Sequence, residues 1–110
     1  MQLNPGDAIA YRSRAIAYGQ LGQNQRAITD FDKAIQLNPG DPWAYKDRGV
    51  AYGGLGEYKR AIQDLDKSIQ LDPDFAMAYG SRCHMHCMMG QHAKANADKA
   101  KACSLDSKYC

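Results

Sequence analysis

Leu3-Asn4-Pro5, Leu37-Asn38-Pro39, Leu71-Asp72-Pro73 and Leu105-Asp106-Ser107 recur at intervals of 34 residues. Tyr11, Tyr45 and Tyr79 keep the same spacing, as do Arg14, Arg48 and Arg82, and Gly22, Gly56 and Gly90. Ala27, Ala61 and Ala95 follow it too, each three residues before Asp30, Asp64 and Asp98. A unit of this length cannot bury its apolar face alone, so successive copies must stack. The period therefore predicts a short solenoid rather than a globule built around a pocket.

At 110 residues the chain has the size of one domain, and its hydrophobic content of 45% is ordinary for a soluble protein. No apolar run approaches the roughly 18–20 residues that span a bilayer. The start of the chain shows neither the basic segment nor the apolar core of a signal peptide. A net charge of +2 is too small to argue for nucleic acid or membrane as a partner. The charge is unevenly spread: residues 75–110 carry five Lys/Arg against two Asp/Glu, and all three His. That mildly basic third would suit an acidic partner surface, although a solvated helix face is the simpler reading and the favoured one.

Residues 41–73 show how one copy is built. Asp41 is a good N-cap, and Pro42 at the first helical position lacks only an N–H that would be orphaned anyway. A first helix then runs to about Gly54, where Leu55-Gly56 offers a left-handed C-cap. A second helix runs from about Tyr58 to Leu71 and is stopped by Asp72-Pro73. Tyr45, Arg48/Gly49 and Tyr52 share a face of the first helix; Ala61, Leu65, Ser68 and Ile69 share one of the second. Small Gly49 and Ala61 would let the two helices approach closely. By this phasing, residues 1–7 read as the tail of a preceding repeat or an N-terminal extension, so the chain is expected to begin inside a longer array. The repeats proper take residues 8–41, 42–75 and 76–107, and 108–110 are a tail.

These positions resemble the tetratricopeptide repeat family. Its large, leucine, small, aromatic, Ala-x-x-x-Phe and proline slots hold Tyr45, Arg48, Gly49, Tyr52, Ala61, Leu65 and Pro73. In the first copy they hold Tyr11, Arg14, Ala15, Tyr18, Ala27, Phe31 and Pro39. Arginine departs from leucine in all three copies, and its stem is expected to lie over the tyrosines. The third copy departs further. Asn96, Lys99 and Cys103 stand where the others have Ile28/Ile62, Phe31/Leu65 and Ile35/Ile69, as a water-facing terminal repeat requires.

The resemblance implies an all-α, right-handed α-α superhelix of three helix-turn-helix units, its concave wall lined by the first helix of each. The lining positions hold Ile9, Arg12, Ser13, Ile16, Gly19 and Gln20 in the first copy. The second copy has Trp43, Lys46, Asp47, Val50, Gly53 and Gly54; the third has Met77, Gly80, Ser81, His84, Cys87 and Met88. Trp43, the chain's single tryptophan, is the expected anchor, within an apolar floor of Ile9, Ile16, Val50 and Met77. Such a surface suits a peptide or an amphipathic helix of another protein. Some family members clamp chaperone C-terminal carboxylates, but those positions here hold Arg12, Ile16, Asp47, Met77 and Ser81. One suitable cation and one carboxylate of the wrong sign disfavour that ligand. Nothing before residues 8–21 covers their outer face, so end-to-end self-association is a further expectation.

Cys83-His84-Met85-His86-Cys87-Met88-Met89 and His92 concentrate metal-ligand side chains. Cys83, His84 and Cys87 are the candidates for zinc, and Cys with Met for copper(I), which makes a metal- or redox-responsive module over residues 83–92 the alternative function. The repeat, however, assigns Cys83, His86 and Met89 to core slots, and a methionine-rich binding surface is the simpler reading. Cys103 and Cys110 resemble the helix-linking bridges of cysteine-rich bacterial helical-repeat proteins; such a bridge needs Cα atoms within about 7 Å and an oxidising compartment. No catalytic elbow or glycine-rich phosphate loop is present, and the acid pairs Asp30/Asp32 and Asp64/Asp66 are expected on solvated helix faces. The sequence thus points to a non-catalytic protein-interaction scaffold, with no cofactor.

Overall fold

The computed structural model describes residues 6–110, and among them it is all-α. Leu3-Asn4-Pro5, with the expectation attached to it, lies outside the described residues. Six helices follow in order: α1 (Ala8–Gln20), α2 (Asn24–Leu37), α3 (Pro42–Gly54), α4 (Tyr58–Leu71), α5 (Ala76–Met88) and α6 (His92–Leu105). A short 3-10 helix, Ser107–Tyr109, follows α6. The helices pair as α1/α2, α3/α4 and α5/α6, and the pairs stack into an elongated solenoid.

The turn within each pair has one solution, used three times. Gly22, Gly56 and Gly90 have φ near +77°, +78° and +75°, conformations costly for any residue with a Cβ. In the middle copy the Glu57 N–H donates to the Tyr52 carbonyl at 3.0 Å and the Gly56 N–H to the Gly53 carbonyl at 3.0 Å. This double closure satisfies carbonyls that the helix end would otherwise orphan. Helix starts are less uniform. Asp7 and Asp41 cap α1 and α3 with their side chains, whereas Phe75, 34 residues after Asp41, opens α5 without a side-chain cap.

Each pair closes on small residues. Ala15, Ala27 and Ala61 are fully buried, and a Cβ added to Gly49 would meet the Ala61 carbonyl oxygen at 3.0 Å and the Leu65 side chain at 3.2 Å. One apolar cluster joins Ala15, Ala27, Ile28, Phe31 and Ala51; a second joins Ala61, Leu65, Phe75, Ala78 and Met85. Tyr52 packs against both and links them. In the third copy Asn96 is exposed where Ile28 is buried, and Lys99 is exposed where Phe31 and Leu65 are buried.

The acidic pairs correct the expectation that they sit on solvated faces. Asp30, Asp64 and Asp98 are buried, each taking a two-pronged arginine. Arg14 donates to both Asp30 oxygens at 2.7 and 2.8 Å, Arg48 to Asp64 at 2.9 and 2.7 Å, and Arg82 to Asp98 at 2.9 and 2.7 Å. Residues two apart on a helix point to different sides, so Asp32 and Asp66 are exposed while their neighbours are not. They are paired nonetheless. Arg48 Nη1 reaches Asp32 and Arg82 Nη1 reaches Asp66, both at 2.9 Å, so each of these guanidinium groups also ties its pair to the preceding one. The hydrogen bond to Asp64 and then, opposed by desolvation, the charge of that carboxylate hold the Arg48 pKa above its ordinary value; Arg82 is raised first by its hydrogen bond to Asp98 and then, against desolvation, by the one to Asp66. The arginines also lie over tyrosine rings, Arg48 at 5.6 Å from Tyr45 and Arg82 at 5.5 Å from Tyr79. Arginine, in the slot where the resemblance leads one to expect leucine, finds a buried, geometrically matched carboxylate.

Candidate functional site

Because the pairs stack in phase, α1, α3 and α5 lie side by side and form one wall. Two cavities open on it. The first, about 260 Å³, lies between α1 and α3, where Ile16, Gly19, Gln20, Lys46, Asp47 and Val50 surround a floor that includes Phe31 and Ala51. The second, about 330 Å³, lies between α3 and α5, lined by Val50, Met77, Gly80, Ser81, His84, Met85 and Tyr109. Val50 borders both. Both are mainly apolar, a lining that takes apolar side chains better than a charged ligand.

The charge at this wall is largely internally matched. Lys46 Nζ lies 2.6 Å from Asp47 Oδ1, both side chains being mostly buried. Arg12 Nη1 donates to Asp41 Oδ2 at 2.8 Å. A ligand carboxylate would have to compete with Asp41 for the one arginine on this face of α1 and would meet Asp47 beside it.

Of the residues expected to line a groove, Ile16, Gly19, Gln20, Lys46, Asp47 and Val50 border the first cavity, and Val50, Met77, Gly80, Ser81 and His84 the second. Ile9, Arg12, Ser13, Trp43 and Met88 border neither. Trp43 is half-exposed, at 46%, but its ring packs on Phe75 with centroids 4.7 Å apart, and Lys46 Nζ sits 5.3 Å from it. It flanks the cavities rather than centring them. The sequence reading missed Asn24 in the first cavity and Tyr109 in the second. A signal for Tyr109 existed: it stands 34 residues after Phe75.

The Cys/His/Met run is dispersed by the helix that carries it. Met85 enters the second core cluster, and a methyl on Gly53 would collide with it. His86 is buried, its Nδ1 2.8 Å from Gln91 Oε1 and its Nε2 3.7 Å from Asp98. His84 and Cys87 are exposed, and Cys83 is half-buried. Burial, then the nearby Asp98 charge, raises the Cys83 thiol pKa, which favours the neutral thiol over a thiolate ligand. Among the described residues no three His, Cys, Asp or Glu side chains are grouped to hold a metal ion. Cys103 and Cys110 are joined in a disulfide, their Cα atoms 4.7 Å apart. No helix is long and apolar enough to cross a membrane among the described residues.

Comparison with known proteins bears on the repeat and the fold. A model of the tetratricopeptide repeat matches residues 42–75, and a second, described as TPR repeat, matches residues 17–56. A search of curated protein sequences gave no significant match. Among solved structures, the second TPR of Spaghetti (RPAP3) bound to the HSP90 peptide SRMEEVD superposes with a TM-score of 0.86 at 23% identity, covering 90% of this chain and 92% of that one. The Arabidopsis OM64 TPR domain gives 0.90 at 24% identity, over 92% and 84%. MamA gives 0.88 at 30% identity, over 96% of this chain but 62% of its own.

Proposed function

This chain belongs to the tetratricopeptide repeat family, and on that footing we propose that it is a non-catalytic interaction module holding a segment of another protein across α1, α3 and α5. The observation that carries this reading is the pair of apolar cavities meeting at Val50. One segment laid along the wall can place an apolar side chain in each, while Trp43 at the edge adds a partly exposed ring. The chaperone peptide held by the Spaghetti domain is not the ligand proposed. Arg12 is engaged by Asp41, Asp47 is of the wrong sign, and Ile16, Met77 and Ser81 carry no charge for a carboxylate.

Peptides selected from a random phage-displayed library provide the probe. Val50→Glu puts a charge between both cavities at an exposed position, so it leaves the melting midpoint nearly unchanged. It is expected to weaken selected peptides by roughly a hundredfold, about 2.7 kcal/mol. Trp43→Ala, beside the cavities, is expected to cost roughly tenfold. Peptides that bind Val50→Glu as well as wild type would place the contact on another face and overturn the reading.

A further inference from the structure

We propose that the Cys103–Cys110 disulfide is a reversible thiol switch whose moving part is Tyr109, held over Gly80 at the end of the groove when oxidised and released when reduced. Three observations converge on it. The bridge closes residues 103–110 into one small loop, with the Cα atoms of its ends 4.7 Å apart. Within that loop Tyr109 is a wall of the second cavity, alongside Met77, Gly80, Ser81 and His84. Position 80 is shaped to receive it: a Cβ there would meet Tyr109 Cε1 at 3.2 Å and Cδ1 at 3.5 Å. The first two repeats carry Arg12 and Lys46 at that position, and only the third has glycine.

Without the covalent tie, a short turn and the packing of the Tyr109 ring over Gly80 are left to hold this segment. Its 3-10 helix spans three residues, Ser107–Tyr109, a length with no stability of its own. Asp106 accepts the Lys108 N–H on its side chain at 3.1 Å and the Tyr109 N–H on its carbonyl at 3.0 Å. Helix α6 is anchored separately by Ala95, Asp98 and Ala102, so opening the loop leaves the solenoid folded. Cys110 is exposed and Cys103 half-buried, which marks Cys110 Sγ as the atom a reductant reaches. The thiolate of a dithiol attacks Cys110 Sγ, forming a mixed disulfide and expelling the Cys103 thiolate, which takes a proton. The dithiol's second thiolate then attacks its own sulfur in that bond, leaving as a cyclic disulfide and releasing Cys110 as a thiol. Two electrons and two protons pass from the dithiol to the protein.

Release of Tyr109 lengthens the groove over Gly80, and any consequence for partner binding rests on the peptide reading above. The experiment separates the two. In protein labelled with 13C-methyl methionine, excess dithiothreitol should raise the titratable thiols from two to four. The methyl resonances of Met77 and Met85, which line the same cavity as the tyrosine ring, should shift on reduction, while Met88 and Met89 stay in place. Oxidised Tyr109→Ala should already show the reduced positions and move no further when reduced. Static Met77 and Met85 methyls in fully reduced wild type, or equal shifts in Tyr109→Ala, would overturn the switch. Library-selected peptides should bind reduced wild type roughly threefold or more tighter than oxidised, and Tyr109→Ala equally in both states. Methyl shifts with unchanged affinity would overturn the gating; methyl shifts with no peptide captured at all would overturn the groove reading and leave the switch standing.

Discussion

The two junctions between helix pairs share one side and differ on the other. On the shared side Arg48 bridges Asp64 and Asp32, and Arg82 bridges Asp98 and Asp66, with matching atoms and nearly matching distances. At the groove edge the first junction is ionic: Asp41 caps α3 through the Trp43 N–H at 3.0 Å and takes Arg12 at 2.8 Å. The second is aromatic. Phe75 replaces the capping aspartate and packs under Trp43, whose counterpart Ile9 is 70% exposed. Lys46, the counterpart of Arg12, turns instead to Asp47 and to the Trp43 ring. Stacking is thus fixed by the strictly periodic residues, and the groove edge is free to change chemistry from one junction to the next.

The largest expected effect tests the shared side. Arg48→Ala leaves Asp64 buried without its cation and should cost about 3 kcal/mol in chemical denaturation, with Arg82→Ala close to it. Replacing Arg48 and Asp64 together by leucine should recover most of that loss, because the stranded carboxylate is gone. A far smaller cost for Arg82 than for Arg48 would break the equivalence of the two junctions. The raised arginine pKa values set the sign with pH: this stabilisation is present below the unfolded arginine pKa and is lost only as pH rises through the higher folded value. Alkaline titration to about pH 10 should therefore leave the ladder intact.

Next in size is Phe75→Ala, expected to cost about 2.5 kcal/mol, somewhat below a fully enclosed phenylalanine because one face rests on half-exposed Trp43. Its cost should be insensitive to salt. If Trp43→Ala removes most of the effect of a subsequent Phe75→Ala, the two rings act as one unit.

How much of this the sequence disclosed depended on how local each signal was. The glycine turns at 22, 56 and 90 and the helix bounds around Pro42 and Tyr58 follow from residues close in the chain, and α3 and α4 run as expected. The period also named Ile16, Lys46, Val50, Met77 and His84, which border the cavities. It marked Asp30 and Asp64 as periodic without showing that they are buried. Their arginine partners are 16 residues away on another helix, and an isolated acidic pair reads as solvated. From the sequence Trp43 looks like the groove's anchor because an apolar residue away from the core face has no evident partner; the ring it packs on, Phe75, belongs to the start of the next helix pair. Tyr109 keeps the period, 34 residues after Phe75, but it follows the last helix, where the sequence reads as a tail rather than as part of a repeat.

The smallest of these effects distinguishes the ionic junction. Asp41→Ala removes the side-chain cap of α3, worth about 1 kcal/mol, and an ion pair with Arg12 worth up to about 0.5 kcal/mol at low salt. Both ions are partly exposed, with side chains 28% and 19% accessible for Arg12 and Asp41, so salt should screen the second contribution and leave the first. Urea denaturation at low and high ionic strength should therefore give a cost that shrinks by roughly a third for Asp41→Ala and stays constant for Phe75→Ala. Asp41→Asn sharpens the test, since the amide oxygen keeps the cap while the charge is lost. Its cost should fall to nearly nothing in high salt. A cost for Asp41→Asn as large as that of Asp41→Ala, and independent of salt, would show that Asp41 does not hold the junction by charge.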